Sequence, residues 1–194
     1  MFRTGGLLFF SLLALLGLSA CGSDSPAEGA AEADGVTVEV SCASHIQFVD
    51  EVGEGIPVIA DGVAIGAYVS ESGALVGQLG SERADADSAF EGLSFAKMGL
   101  LIRDGTTAVV TPATPADAVI TWGDADASAA AGESLAFDAC TSPDGGEWLV
   151  FAGGFWVSEP GCVALRVTVD GGDPVDINVN LQPLSALDTA ESCG

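Results

Sequence analysis

Residues 162–181 constrain the fold of this chain more than any other stretch. Val163, Leu165, Val167 and Val169 alternate with Cys162, Ala164, Arg166 and Thr168, and after Asp170-Gly171-Gly172-Asp173 the pattern resumes, Val175, Ile177, Val179 and Leu181 alternating with Asp176, Asn178 and Asn180. A side-chain period of two turns one set toward a core and the other toward water. Asp-Gly supplies the positive φ values that a tight hairpin turn requires. The segment therefore reads as a β-hairpin.

The same turn chemistry recurs. Asp61-Gly62 separates apolar runs 56–60 and 63–69, Asp104-Gly105 separates 95–103 and 106–111, and Asp144-Gly145-Gly146 precedes Trp148. Further strands are expected at 36–40, 74–79, 118–122, 133–139, 148–152 and 155–158. Residues 81–91 have no Glu or Gln three positions after the possible Ser81 cap, and read as a loop with room for one turn. Short strands separated by Gly, Pro and Asp indicate a sandwich or barrel. The expected fold is all-β, an antiparallel β-sandwich of Ig-like or jelly-roll type. No alignable repeat points to a solenoid or propeller.

The N-terminus has a different character. Arg3 precedes an apolar run over 7–18 that ends in Leu18-Ser19-Ala20-Cys21. A basic start, a short apolar region and small residues before a cut site make a secretory signal, and the run is too short to span a bilayer. The Leu-Ser-Ala-Cys ending resembles the lipobox of bacterial lipoproteins, in which the Cys takes a diacylglyceryl group and becomes the mature N-terminus. Together with W-x-x-F-x-G-G-F at 148–155 and P-G-C-V at 160–163, it is similar to uncharacterised lipobox-containing lipoproteins of high-GC Gram-positive bacteria. That resemblance implies a lipid anchor at Cys21 on the extracytoplasmic face of the cell membrane, and implies no activity.

Three segments follow: a lipoprotein signal peptide at 1–20, a lipidated flexible tether at 21–34 and a β domain at 35–194. The tether, CGSDSPAEGAAEAD, holds no large apolar residue and cannot bury enough surface to offset the entropy of ordering. About 160 residues remain, enough for one domain with a real core.

The whole chain carries 28 acidic and 5 basic groups, a net charge of −23. Loss of the signal removes Arg3 and no acid, leaving Arg83, Lys97, Arg103 and Arg166. Nucleic acid is excluded as a partner, because a phosphate backbone needs Lys and Arg to displace its counterions. Anionic headgroups repel such a domain, so attachment to the membrane falls to the lipid. Any protein or small-ligand partner stays unidentified at this level.

With Cys21 given to lipid, Cys42, Cys140, Cys162 and Cys193 remain, an even count that suggests two disulfides in an exported domain. Of the three connectivities, Cys140 with Cys162 and Cys42 with Cys193 is preferred, because the first pair brackets a hairpin-like unit and the second staples the termini. No C-x-x-C pair suggests a metal.

The aromatic stretch 148–162 is the main candidate for a site. Trp148, Phe151, Phe155 and Trp156 read either as a stacking platform for a sugar or apolar ligand or as core, with Gly153-Gly154 making a bulge or bend; core is the expected reading. Trp122 is read the same way. His45, the one histidine, has no G-x-S-x-G elbow or unpaired cysteine to serve, and no catalytic residues are assigned. Asp85-x-Asp87 and Asp124-x-Asp126-x-Ser128 lack the glycine and glutamate of a calcium loop and read as solvated. No metal and no cofactor is expected. The functional expectation is a binding or structural interaction module without catalysis; a small-ligand-binding lipoprotein associated with a transporter is the alternative, and an extracellular hydrolase the third.

Overall fold

The computed structural model describes residues 35–124, 127–142 and 145–193; the expected signal and tether, Cys21 included, lie outside them. Strand β1 (Thr37–Val40) leads through a 3-10 turn at Cys42–Ser44 to β2 (Gln47–Val49), β3 (Val58–Ala60), β4 (Val63–Ile65), β5 (Tyr68–Val69) and the long β6 (Leu75–Arg83). After a run of turns come β7 (Ser94–Lys97), β8 (Leu100–Arg103), β9 (Ala108–Thr114), β10 (Val119–Trp122), β11 (Ser128–Ala130) and β12 (Ser134–Phe137). The last strands are β13 (Trp148–Phe151), β14 (Gly153–Val157), β15 (Gly161–Val169) and β16 (Val175–Pro183), and a 3-10 turn at Leu184–Ala186 opens the C-terminal tail. The chain is all-β; the loop expected over 81–91 begins three residues later, because β6 runs on through Arg83, and residues 84–93 are turns and irregular backbone.

Two sheets share one core. The larger runs β1-β12-β9-β15-β16-β6-β7-β14-β10-β11, with β5 paired to β6, and it curls until β11 returns beside β12, β1 and β9, nearly closing a barrel. The smaller runs β2-β13-β8-β4-β3. Val63, Ile65, Leu100, Ile102, Leu149 and Phe151 from the small sheet pack with Ile120, Trp122, Phe137, Phe155, Leu165 and Leu181 from the large one. The curl brings the two end strands, β1 and β11, beside each other without a ladder between them, so little of either edge is left open. The fully antiparallel arrangement expected from hairpin signals needs correction, because β1 pairs with β12 and β16 with β6 in parallel.

Local turn chemistry explains part of this layout. Val169, Asp170, Gly171 and Gly172 turn the β15–β16 hairpin, with φ of 49° at Asp170 and 67° at Gly171 and a 2.8 Å bond from Gly172 N–H to Val169 O. Two successive positive φ values match the twist of the flanking strands. Arg166 forks onto Asp176 across the same hairpin at 2.8 and 2.9 Å, and its hydrogen bond holds the Asp176 carboxyl below the ordinary aspartate range. Val175 is exposed although it follows the apolar alternation, while Val167 opposite it is fully buried.

Other turns have the expected chemistry and different partners. Asp61-Gly62 joins the antiparallel pair β3–β4. Asp104-Gly105 instead carries the chain from β8 in the small sheet to β9 in the large one, so a hairpin at that position is corrected to a crossover. The apolar run 95–103 is likewise two strands in different sheets, split after Lys97.

The preferred disulfide pairing is also overturned: Cys42 bonds Cys140 and Cys162 bonds Cys193, with Cα separations of 5.5 and 5.9 Å. The parallel register sets Val40 opposite Phe137, which brings the residues just beyond both strands, Cys42 and Cys140, to one end. Cys162 lies opposite Asn180, and Asn180 Nδ2 donates to Glu191 O at 2.9 Å, drawing the tail back to Cys162. The unit that Cys140 and Cys162 were expected to bracket is no hairpin, because β13 and β14 belong to different sheets.

Candidate functional site

The four rings singled out in residues 148–156 do not form one platform. Trp148 and Phe151 lie on β13 in the small sheet, Phe155 and Trp156 on β14 in the large one. Phe151 and Phe155 face the shared core, meeting Phe137 and Trp122 edge-on at 5.0 and 5.4 Å. Trp122 is buried with them and donates its indole N–H to Met98 O at 2.7 Å. Trp148, 4% exposed, packs on the opposite face of the small sheet with Ala64 and Leu101, and the Arg103 guanidinium covers its ring at 4.9 Å. Arg103 also pairs with Asp61 at 2.9 Å and Glu147 at 3.4 Å.

Only Trp156 of these four points outward. Its neighbour Phe155 faces the core, so the pleat turns Trp156 to the outer surface, where Phe95 stands opposite it on β7. Phe90, from the loop before β7, stacks on Trp156 at 4.5 Å and 7°, and Phe95 leans against it at 4.6 Å. Two residues along, the register sets Lys97, Gly154 and Thr121 side by side on β7, β14 and β10. Glycine in the middle leaves a trough between the lysine and the threonine.

That trough is part of a cavity of about 340 Å³ bordered by Phe90, Phe95, Trp156, Lys97, Thr121 and Asp124. The backbone requires the two glycines beneath it. A Cβ on Gly153 would meet Thr121 O at 1.9 Å and one on Gly154 would meet Ala96 O at 1.9 Å, with φ of 158° and 153°. Any side chain there would push neighbouring strands apart.

No family model, curated protein or solved structure matches this chain.

The remaining candidates stay separate from the groove, apart from Asp124 on its border. His45 Nδ1 lies 2.7 Å from Cys42 O and its ring 4.2 Å from Phe48, which places it as a cap on the first 3-10 turn. Asp85 and Asp87 are exposed, as is Asp124; Asp126 falls outside the described residues. Among the described residues no group of three or more His, Cys, Asp or Glu is placed to hold a metal ion. Sequence reasoning missed Phe90, Phe95 and Lys97. Phe95 and Lys97 carried a usable signal, two residues apart on one strand with the only lysine of the chain. Phe90 carried none, because its approach to Trp156 depends on how a loop folds back.

Proposed function

We propose that this chain is a lipid-anchored extracytoplasmic envelope module that works by binding or structural interaction, without catalysis. The aromatic groove carries the binding half of this reading. A concave, ring-lined site with a few polar groups at one end is the usual form of a small-molecule or side-chain pocket. The address rests on residues 1–21, where a signal-like run ends in Cys21, and on two disulfides, which persist in oxidising compartments. A signal peptide at 1–20, a tether at 21–34 and membership among the lipobox lipoproteins of high-GC Gram-positive bacteria belong to the same reading. The groove also suits the narrower alternative, a small-ligand-binding lipoprotein that serves a transporter.

Two acyl chains on Cys21 suffice for a stable anchor, since each buried CH2 contributes about 0.8 kcal/mol. Cys21→Ala is therefore expected to abolish fatty-acid labelling and to move the protein from the detergent phase to the aqueous phase. Unchanged labelling and partitioning would refute the anchor.

A further inference from the structure

We propose that residues 187–193 form a redox-released strap: reduction of the Cys162–Cys193 disulfide by a dithiol detaches this segment and uncovers Val76 and Asn180 on the outer face of the large sheet, while the rest of the fold stays closed.

Burial on the outer face shows what the segment covers. The register sets Tyr68, Val76, Asn180 and Cys162 in one row across β5, β6, β16 and β15. Their chain neighbours Leu75, Val179 and Val163 pack in or against the core, so the pleat turns this row outward. Tyr68 and Cys162, at its two ends, are exposed. Val76 and Asn180, in the middle, are only 1% and 8% exposed. The strap lies over them: Ala190 and Leu187 pack with Val76 and Ala74, and Asn180 Nδ2 donates to Glu191 O at 2.9 Å.

Apart from its disulfide the strap is held lightly. Among the described residues no backbone hydrogen bond joins 187–193 to a strand, and besides Asn180 only the Ser72 hydroxyl reaches it, 3.4 Å from Ala190 O. The apolar contact is small, two alanines with Val76 and Leu187. A segment with so few buried contacts opens far below the free energy of global unfolding. Access separates the two bridges as well. Cys162 is exposed and Cys193 half-buried, whereas Cys140 is 5% exposed and belongs to the main core. A thiolate of the reductant attacks the Cys162 sulfur, the S–S bond breaks, and Cys193 leaves as a thiolate on the freed strap. The second thiol of the dithiol then attacks the mixed disulfide and releases Cys162, so that two electrons and two protons pass to the cysteines and the dithiol becomes a disulfide. Attack on exposed Cys42 would instead expel a thiolate at Cys140, where burial penalises the charge.

Selective reduction and release of the strap are measured separately. Oxidised full-length protein is incubated with dithiothreitol in native buffer, free thiols are trapped with iodoacetamide at intervals, and the peptides of Cys42, Cys140, Cys162 and Cys193 are followed by mass spectrometry. Cys162 and Cys193 are expected to be labelled together, about tenfold faster than Cys42 and Cys140. In the protein reduced at that bridge alone, chymotrypsin should cleave after Leu187 about tenfold faster than in the oxidised protein. Near-ultraviolet circular dichroism should keep its native form, and reoxidation of untrapped protein should restore resistance to the protease. Cys193→Ser should be cleaved at the faster rate without any reductant. Labelling of all four cysteines at one rate would overturn the proposal. So would a singly reduced protein whose Leu187 bond stays resistant, or one that loses its native dichroism.

Discussion

Replacing Cys42 and Cys140 together by Ser is expected to lower the stability of the domain by about 4–5 kcal/mol, the loss that chain entropy assigns to a cross-link closing a loop of roughly 100 residues. The two cysteines are 98 positions apart. The bridge joins the chain just beyond β1 to the chain just beyond β12, and so closes one end of that parallel pair. The Cys162–Cys193 bridge spans 31 positions and fastens a tail, so its removal should cost about 1 kcal/mol less by the same relation. Out of a total of roughly 5 to 15 kcal/mol, either loss is large. Urea unfolding of the two double variants without reductant measures both. A larger shift for Cys162/Cys193 than for Cys42/Cys140 would contradict the account. The pairing has its own check: Cys42→Ser alone should release the thiol of Cys140 and leave Cys193 bonded.

The second large effect belongs to the glycines under the groove. Gly154→Ala sets a methyl group 1.9 Å from the carbonyl oxygen of Ala96, and Gly153→Ala does the same against Thr121. Both obstacles are backbone in paired strands, which cannot move aside as a side-chain end can. Either change is expected to cost more than about 3 kcal/mol, at or beyond the upper part of the range for overpacking. Gly99→Ala is the comparison: its nearest neighbours would lie at 3.8 Å and beyond, so its cost should stay within about 1 kcal/mol. Denaturant midpoints for the three variants decide it, and equal midpoints would show that the strands are not held this closely.

The uneven legibility of this chain has a physical cause. The pairing and turn of the 162–181 hairpin could be read because their evidence is local, alternation on both strands and an Asp-Gly turn between them, although Val175 is exposed and Asn180 is buried against that alternation. The turn at Asp104-Gly105 has the same chemistry but joins strands in different sheets, and nothing within four residues of it records which neighbours β8 and β9 will find. Parallel pairs leave still less trace. Val40 opposite Phe137 is a contact across most of the domain, and the disulfide pairing follows from it, so the pairing was unreadable for the same reason. β11, with the sequence Ser-Ala-Ala, carries no strand signal of its own and forms by adding to β10.

At the candidate site the difficulty was one of side. Phe155 and Trp156 are adjacent, large and aromatic, and composition does not distinguish them. The pleat does, turning Phe155 into the core against Trp122 and Trp156 outward against Phe90 and Phe95. Trp148 looks equally suited to a platform in sequence, yet Arg103 covers its ring and the cluster it forms with Ala64 and Leu101 is packed by the loop residues Val52 and Ile56. An aromatic-rich stretch thus divides among a central core, a smaller core on the outer face of the small sheet and a surface groove, as the chain passes from one sheet to the other at Ala152.

The central claim is that one indole, Trp156, faces the solvent side of the fold while Trp122 and Trp148 are enclosed. Acrylamide quenching of tryptophan emission tests it directly, the neutral quencher being indifferent to the −23 charge. The expected result is one accessible component and two protected ones, with Trp156→Phe removing the accessible component alone. Equal quenching of all three tryptophans, or an accessible component that persists in Trp156→Phe, would contradict the placement of the groove.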